Sequence, residues 1–341
     1  MKDHPRYWGL IPTLPGAVLA QAVKEAEAIG MEGLWVPQLY GPPFVTLAAA
    51  AMASQRLKLG SGVALAFTRS PLETALSAID LDIISGGRAV LGLGTSLRWW
   101  NEDWHGVTYG NPLEHLREVV GIVREIIAGA HSGKIGRLEG KYHKLDLSQF
   151  KTLGPPVRDK IPIYLPALFE NAVRMAGEVA DGLPGHPIWS ARWVANEVKQ
   201  TLEASLKKAG RQRSDFDLNV WAWVAIDNDR KRAIEDARAT VAFYAGFTQY
   251  DKYFAAHGFG GQARAVSDAT RRGDTGAAMK AVPDEMVTTF AIAGTPDDAR
   301  EQVEKLWQTA DSLTLAPPFY SLDLGKVAGY QKAIAETFYL S

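Results

Sequence analysis

Two consecutive apolar segments of this chain carry glycines near their carboxyl ends, and this pattern constrains the fold more than any other. Residues 57–65 read Leu-Lys-Leu-Gly-Ser-Gly-Val-Ala-Leu, and residues 88–95 read Arg-Ala-Val-Leu-Gly-Leu-Gly-Thr. A helix start at Ser70-Pro71 separates them. Glycine in a strand permits a bulge or a close approach to the backbone, and α/β proteins bind ligands at the carboxyl ends of strands. The two segments therefore predict a planar cofactor lying against main chain.

The composition limits the classes of protein. The 341 residues are 47% hydrophobic and 22% charged, with a formal net charge of −1. These values are typical of a globular protein with a large core, and they give no overall field toward nucleic acid or an anionic membrane. The absence of cysteine excludes disulfides, thiol nucleophiles and thiolate metal sites. Residues 1–6 lack a signal-peptide core and no apolar run reaches ~20 residues, so a cytoplasmic protein without a membrane partner is expected.

Eight short apolar strands, most of them followed by a helix, predict one domain over residues 1–341. The predicted strands lie at 7–11, 33–37, 57–65, 88–95, 161–167, 181–183, 218–226 and 312–316. The predicted helices lie at 15–29, 44–54, 71–84, 111–129, 169–180, 191–209, 296–310 and 324–337, with further helices up to about 280. This order favours a closed parallel β/α (TIM) barrel over an open sheet.

Two details refine the predicted barrel. A dinucleotide fold is disfavoured because Leu97 stands where a Gly-x-Gly-x-x-Gly fingerprint needs its third glycine. Two insertions are expected on the active face. One spans about 130–158 after the fourth helix and contains a β-hairpin, and the other spans about 250–288 after the seventh strand.

Polar and aromatic residues follow the second and fourth predicted strands. Gln38 either satisfies its own loop or donates a hydrogen bond to a ring carbonyl or substrate oxygen. The loop after the fourth strand carries three tryptophans, including Trp99 and Trp104, which either pack beneath the hairpin or wall an apolar substrate pocket; we favour the pocket. In the same loop, Glu102 and His105 are candidate proton donors. With Gln38, they form the predicted catalytic set.

Several other chemistries lack support in the sequence. The seven histidines form no His-x-His pair and no helical His-Glu-x-x-His pattern, so no metal site is expected. No Gly-x-Ser-x-Gly elbow presents a serine nucleophile. The ends of strands two to five supply no pair of carboxylates of the kind that a retaining glycosidase needs.

The glycine-bearing segments belong to a longer series of motifs. The series comprises residues 57–63, Ser70-Pro71, residues 79–94 with their Ser-Gly-Gly-Arg, residues 177–182 (Gly-Glu-Val-Ala-Asp-Gly) and residues 293–298 (Ala-Gly-Thr-Pro-Asp-Asp). In this order, over about residues 8–320, the chain resembles the bacterial luciferase-like superfamily. The resemblance implies a β/α barrel that binds a flavin or deazaflavin, with a non-proline cis peptide at Gly62-Val63 behind the ring.

Residues 35–38 and 162–167 look more like the members that use the deazaflavin coenzyme F-420, so this cofactor is favoured and FMN is the alternative. The resemblance implies cofactor contacts from Ser61, Gly62, Val63, Gly92, Gly94, Thr95, Leu165, Pro166 and Ala167. It places the phosphate near Gly182 and Leu183, with Arg174 or His186. Phe67, Trp99, Trp104 and Trp189 are the expected substrate-pocket residues.

The expected activity is hydride transfer between reduced coenzyme F-420 and an apolar or conjugated small molecule. Gln38-Leu39 replaces the Asp-His of the sugar-phosphate dehydrogenases, which disfavours alcohol oxidation with a histidine base. Two alternatives stay open, namely an FMN-dependent monooxygenase supplied by a separate reductase, and a non-catalytic flavin-binding relative. A homodimer is expected by analogy with relatives.

Overall fold

The structure is a computed structural model that describes residues 5–39 and 41–340. The described strands are β1 (Tyr7–Leu10), β2 (Gly33–Val36), β3 (Lys58–Ser61), β4 (Ala64–Leu65), β5 (Ala89–Gly94), β6 (Gly136–Glu139), β7 (Lys144–Leu147), β8 (Ile163–Tyr164), β9 (Gly182–Pro184), β10 (Asp217–Ile226), β11 (Ile292–Gly294) and β12 (Ser312–Ala316). Of residues 1–6, on which the signal-peptide expectation rests, residues 1–4 lie outside the described part.

Helices follow most of these strands. They are α1 (Gly16–Ala28), α2 (Pro43–Ala53), α3 (Pro71–Ser85), α4 (Pro112–Gly129), α5 (Glu170–Val179), α6 (Ala191–Trp193), α7 (Lys199–Lys208), α8 (Arg230–Ala245), α9 (Asp251–Ala256), α10 (Gly260–Arg271), α11 (Thr275–Lys280), α12 (Asp284–Phe290), α13 (Pro296–Trp307) and α14 (Leu324–Phe338). No helix in the described part of the chain is both long enough and apolar enough to cross a membrane.

The chain divides into two compact units. Among the described residues, the first unit contains 7–39, 41–184 and 201–218, and the second contains 5–6, 185–200 and 219–340. In the first unit, parallel pairing follows the order β1-β2-β3-β5-β8-β9, β4 also pairs with β5, and β6 and β7 form an antiparallel hairpin. In the second unit, β10 pairs in parallel with both β11 and β12. The expectation of a single domain stays a prediction.

The strand order over the whole chain is that of the predicted barrel. It runs β10-β12-β1-β2-β3-β5-β8-β9, and β9 also pairs with β10, so eight strands close into a parallel β/α barrel. The register aligns Trp35 of β2 with Gly60 of β3, and Gly60 with Val90 of β5. The predicted fold class is therefore confirmed.

Helix starts follow the predicted capping chemistry. The Ser70 side chain accepts a hydrogen bond from the Glu73 N–H, with Pro71 in the first turn of α3. The Asn111 side chain accepts in the same way at the start of α4. These side chains satisfy backbone donors that lack a partner inside the helix, so the sequence fixes where these helices begin.

The structure differs from the predicted elements in three places. The strand predicted at 161–167 is reduced to β8, because Pro162 and Pro166 lack the N–H needed for a longer ladder. The helix predicted at 191–209 contains a π-helical segment, Val194–Val198, between α6 and α7. Helix α12 and strand β11 were not predicted, although the Pro-Asp-Glu at 283–285 is a helix-start signal.

Candidate functional site

The centre of the candidate site is a bulge, residues 61–63, between β3 and β4. The peptide bond between Gly62 and Val63 is cis, as the family resemblance implies. The Gly62 N–H donates to the Val36 carbonyl at 2.9 Å, which ties the bulge to β2. Gly60 has a separate role, because a Cβ there would lie 2.2 Å from the Trp35 ring. Gly60 therefore serves barrel packing, whereas Gly62 forms the bulge.

The glycines of β5 make room for this bulge. The Ser61 hydroxyl donates to the Gly92 carbonyl at 2.8 Å and accepts from the Gly92 N–H at 2.9 Å. A Cβ at Gly92 would lie 2.0 Å from the Ser61 carbonyl oxygen. A Cβ at Gly94 would lie 2.5 Å from Val63 Cγ2 and 3.3 Å from Pro166 Cγ. The structure thus brings together five of the predicted cofactor residues from three separate segments.

Gln38 holds the other side of the bulge. Its Oε1 accepts from the Leu65 N–H at 3.0 Å and from Arg69 Nη2 at 2.9 Å, and the residue is 9% exposed. The side-chain carbonyl of Gln38 is therefore held in place, and the Nε2 of the same amide remains as a hydrogen-bond donor for a ligand. Arg69 was not predicted as a site residue.

Arg69 is a partly buried cation with an incomplete set of hydrogen bonds. Its Nη1 is buried without a hydrogen-bond partner, and its guanidinium lies 5.5 Å from the centre of the Phe44 ring. Burial lowers the pKa of Arg69. The Thr-Arg-Ser-Pro sequence at residues 68–71, before α3, could have indicated a cation at a strand end. Only the fold shows that the Arg69 side chain contacts Gln38.

The segment after β5 is helical rather than an open loop. Trp100–Trp104 form a π-helical turn, anchored by the fully buried Asn101, whose Nδ2 donates to the carbonyls of Thr95 and Leu97 at 2.9 and 2.8 Å. We call residues 99–104 the tryptophan turn. Trp99 and Trp104 are 45% and 54% exposed. The cofactor candidate Thr95 is thus linked to the tryptophan turn through its backbone.

The three indoles of the tryptophan turn pack on one another. The ring centres of Trp99 and Trp104 lie 5.0 Å apart, and those of Trp100 and Trp104 lie 4.8 Å apart. Glu102 forms an exposed ion pair with Arg98 at 2.7 Å, and His105 is exposed at the end of the turn. The catalytic roles of Glu102 and His105 stay predictions.

Phe67 belongs to a buried aromatic stack. Its ring lies parallel to the His115 ring at 3.9 Å, and the Tyr142 ring lies on His115 at 4.2 Å. His115 Nε2 lies 2.8 Å from His143 Nε2, and its Nδ1 lies 3.1 Å from the Tyr109 carbonyl oxygen. Phe67 is 4% exposed. The predicted pocket residue is therefore fixed by α4 and the hairpin β6–β7.

The remaining cofactor candidates of the first unit lie on and beside β8 and β9. Leu165, Ala167 and Leu183 are buried, and the Leu165 N–H donates to the Gly182 carbonyl at 3.1 Å. Gly182 packs against Tyr164, where a Cβ would lie 2.5 Å from the ring. Arg174 lies on α5 and pairs with Glu170 and Asn171. Its phosphate role stays a prediction.

In the second unit, His186 belongs to an aromatic cluster that was not predicted. Its Nε2 lies 3.2 Å from the Tyr250 hydroxyl, and its ring is 5.5 Å from that of Tyr244. Trp223, Phe319 and Tyr320 continue the cluster, with Trp223 5.3 Å from Phe319. These residues come from β10, α8 and the segments after β9, α8 and β12, which a search for short motifs does not join.

Burial lowers the pKa of His186 to about 3. The imidazole is therefore neutral at physiological pH, so it can donate one hydrogen bond but cannot supply a positive charge to a phosphate. Trp189, the other candidate of this unit, is 4% exposed, and its six-membered ring packs on Gly185. Within residues 5–39 and 41–340, no three His, Asp or Glu side chains group as a metal site would need.

A closed parallel β/α barrel with a bulged third strand and glycines on the next strand defines a class of ligand-binding barrels. Residues 13–312 match the family model of the luciferase-like monooxygenases, and the chain belongs to this family. It is an oxidoreductase of the luciferase-like class, which confirms the resemblance seen in the motifs.

Comparison with individual proteins agrees with this family. The chain is 33% identical to the 5,10-methylenetetrahydromethanopterin reductase of Archaeoglobus fulgidus over 309 residues, which cover 87% of this chain and 88% of that one. The enzyme of the same name from Methanolobus tindarius is also 33% identical, over 306 residues and the same shares of both chains. The structure of the coenzyme F-420-dependent tetrahydromethanopterin reductase of Methanopyrus kandleri superposes with a TM-score of 0.81 and 26% identity, covering 97% of this chain and 96% of that one.

Proposed function

We propose that this protein is a deazaflavin-dependent oxidoreductase that transfers a hydride between reduced coenzyme F-420 and an apolar or conjugated small molecule. The observation that carries the proposal is the contact of the bulge with the two glycines of β5. Because Gly92 and Gly94 have no side chains, the β5 backbone lies directly against Ser61 and Val63 of the bulge. A flat ring system can lie against such a surface, because only main chain and one valine stand behind it.

The residues around the bulge fit a tricyclic cofactor with polar atoms at its edge. Gln38 presents its Nε2 while Leu65 and Arg69 hold its Oε1, so the amide orientation is fixed before a ligand arrives. The unpartnered Nη1 of Arg69 is a second donor on this side. Both groups donate, and the carbonyl oxygens of a flavin or deazaflavin ring accept.

When bound, the cofactor would supply hydride chemistry, which no side chain of the chain can provide. The protein contributes orientation. Ser61 locks the bulge to Gly92 through two hydrogen bonds, and Asn101 fixes the tryptophan turn to Thr95. In well-oriented reactions, rigid positioning of the reactants lowers the barrier by up to about 7–11 kcal/mol. Glu102 and His105 are the proposed proton donors, and both are reachable from solvent.

Two lines of support favour the deazaflavin. The reductase from Methanopyrus kandleri, which superposes over nearly the whole chain, is described as dependent on coenzyme F-420. The two archaeal relatives at 33% identity are named 5,10-methylenetetrahydromethanopterin reductases, and a reductase activity is consistent with the proposed hydride transfer. The family description as monooxygenases supports the second candidate, an FMN-dependent monooxygenase supplied with reduced flavin by a separate reductase.

Purification from a host that makes the deazaflavin, followed by mass identification of the bound chromophore, tests the proposal. We expect coenzyme F-420 to be recovered, and the reduced cofactor to be oxidised only when an organic acceptor is added. Recovery of FMN alone, with oxygen consumption when reduced FMN is supplied, would establish the monooxygenase instead. Cofactor binding without turnover on a panel of conjugated acceptors would favour the non-catalytic alternative.

A further inference from the structure

A cavity of about 620 Å³ lies within the second unit, and no residue of the bulge lines it. Helices α6, α12 and α13, strand β11 and the end of α9 form its walls. Its volume is within the ~300–1,000 Å³ range of small-molecule sites. The cavity therefore has room for a ligand of its own.

The deep part of the cavity is apolar. Phe290, Ile292 and Leu306 line it and are 3–6% exposed. Ala222 of β10 forms part of the wall, where its single methyl group leaves space that a larger side chain would fill. Aliphatic or aromatic carbon atoms are the chemistry that such a wall favours.

The charged groups that line the cavity are mostly cationic. Arg192 and Lys305 are both cationic and both line the cavity, whereas Glu285 is the one carboxylate among its lining residues in the described part. A ligand that accepts hydrogen bonds and carries negative charge complements this set.

The other polar pair of the cavity is already satisfied. His257 Nδ1 lies 2.9 Å from the Tyr253 carbonyl oxygen, so its proton resides there. Its Nε2 then accepts from the Ser190 hydroxyl, 2.8 Å away. Ser190 and His257 therefore form a fixed wall. Lys305 Nζ is paired with Glu301 at 2.8 Å, and Arg192 Nη2 donates to the Ala256 carbonyl at 3.1 Å, which leaves the other N–H groups of Arg192 to meet a ligand.

We propose that this cavity is a second binding site, which takes a small amphipathic carboxylate. The apolar body lies against Phe290, Ile292 and Leu306, and the carboxylate pairs with Arg192. Apart from Trp189, which is also an expected substrate-pocket residue, no residue that lines this cavity belongs to the candidate redox site. Binding of the cofactor and binding of the carboxylate can therefore be measured separately on the same protein.

Isothermal titration of the purified protein with octanoate tests the proposal, with 1-octanol as the uncharged probe of equal chain length. We expect saturable binding of octanoate at one site, and weaker binding of octanol. Arg192→Gln should weaken octanoate binding about ten-fold without changing octanol binding, since it removes the charge but not the apolar wall. Ala222→Leu should weaken both probes by filling the cavity.

Arg300→Gln is the matched control, because Arg300 is an exposed arginine of α13 that pairs with Asp297 and does not line the cavity. It should leave octanoate binding unchanged. Circular dichroism and cofactor titration of each variant verify folding independently of the cavity. The absence of saturable octanoate binding would overturn the proposal, as would equal binding by wild type, Arg192→Gln and Ala222→Leu.

Discussion

Gly94 and Val63 lie so close that no side chain fits between them: a Cβ at Gly94 would be 2.5 Å from Val63 Cγ2. Real Cβ atoms essentially never approach a neighbour so closely, so one of the two segments must shift when the glycine is replaced. The atom in the way is a methyl group of the Val63 side chain, whereas the Gly94 backbone is held by the Ala66 N–H, which donates to its carbonyl at 2.9 Å.

Gly94→Ala is therefore expected to displace Val63 and weaken cofactor binding about ten-fold or more, with a smaller loss of stability. Fluorescence titration with coenzyme F-420 and with FMN measures the effect. Gly121→Ala is the matched control, since a Cβ at this position of α4 meets nothing within 4 Å. It should leave binding unchanged and stabilise the helix by about 0.5–1 kcal/mol. Equal binding by wild type and Gly94→Ala would remove the bulge from the cofactor site.

Ser61→Ala tests the two hydrogen bonds by which Ser61 holds the bulge on β5. The change removes both hydrogen bonds with Gly92 and leaves a buried N–H and carbonyl without a partner, which costs about 2–4 kcal/mol of unfolding free energy. Urea denaturation measures this loss. Ser132→Ala, at an exposed hydroxyl that donates to the Gly129 carbonyl, should change stability by less than ~0.5 kcal/mol. A Ser61→Ala protein as stable as wild type would show that these two hydrogen bonds contribute little to stability.

Arg88, the arginine of the Ser-Gly-Gly-Arg motif, is expected to act through stability alone. Its guanidinium uses all of its N–H donors on Ser85, Leu57, Ala51 and Ser54, at 2.6–3.2 Å. Arg88→Lys replaces the planar guanidinium by a single ammonium group and removes at least two of these hydrogen bonds. The expected loss of unfolding free energy is about 2–4 kcal/mol.

Thermal denaturation of Arg88→Lys measures that cost, and cofactor titration at low temperature should give wild-type affinity. Arg300→Lys, at an exposed arginine that pairs only with its neighbour Asp297 among the described contacts, serves as the control and should be neutral. Loss of cofactor affinity in a folded Arg88→Lys protein would contradict a purely structural role for the motif.

The pair of His115 and His143 makes stability depend on pH. Burial lowers the pKa of both imidazoles from 6.5, and their mutual proximity lowers that of His143 further, against the opposing charge of Glu118. Below the ordinary pKa, the unfolded chain binds protons that the folded chain does not, so unfolding becomes easier as the pH falls. Stability should be complete above about pH 7 and decrease from there toward about pH 5.

Urea midpoints measured across this range for wild type and His143→Gln test that dependence. The glutamine amide can still donate to His115 Nε2, but it does not titrate, so the slope of stability against pH should decrease by up to about one proton. Identical slopes for wild type and His143→Gln would show that the pair does not titrate on unfolding.

The sequence by itself determined the order of the barrel elements and the position of the bulge, because both depend on local chemistry. Apolar runs of strand length, Ser70 and Asn111 as helix caps, and glycines at Gly62, Gly92 and Gly94 act within a few residues of themselves. The cis peptide at Gly62-Val63 was reachable through the family motifs.

Only the tertiary structure decided which distant residues come into contact. The hydrogen bond between Gln38 and Arg69, four of the five hydrogen bonds of Arg88, and the aromatic cluster around His186 join residues that are about 30 to 130 positions apart. No local pattern encodes such contacts, because they form only when closure of the strands brings distant residues together. The tryptophan turn shows the same limit. Its composition indicated an unusual loop, but its helical form depends on buried Asn101 finding the carbonyls of Thr95 and Leu97.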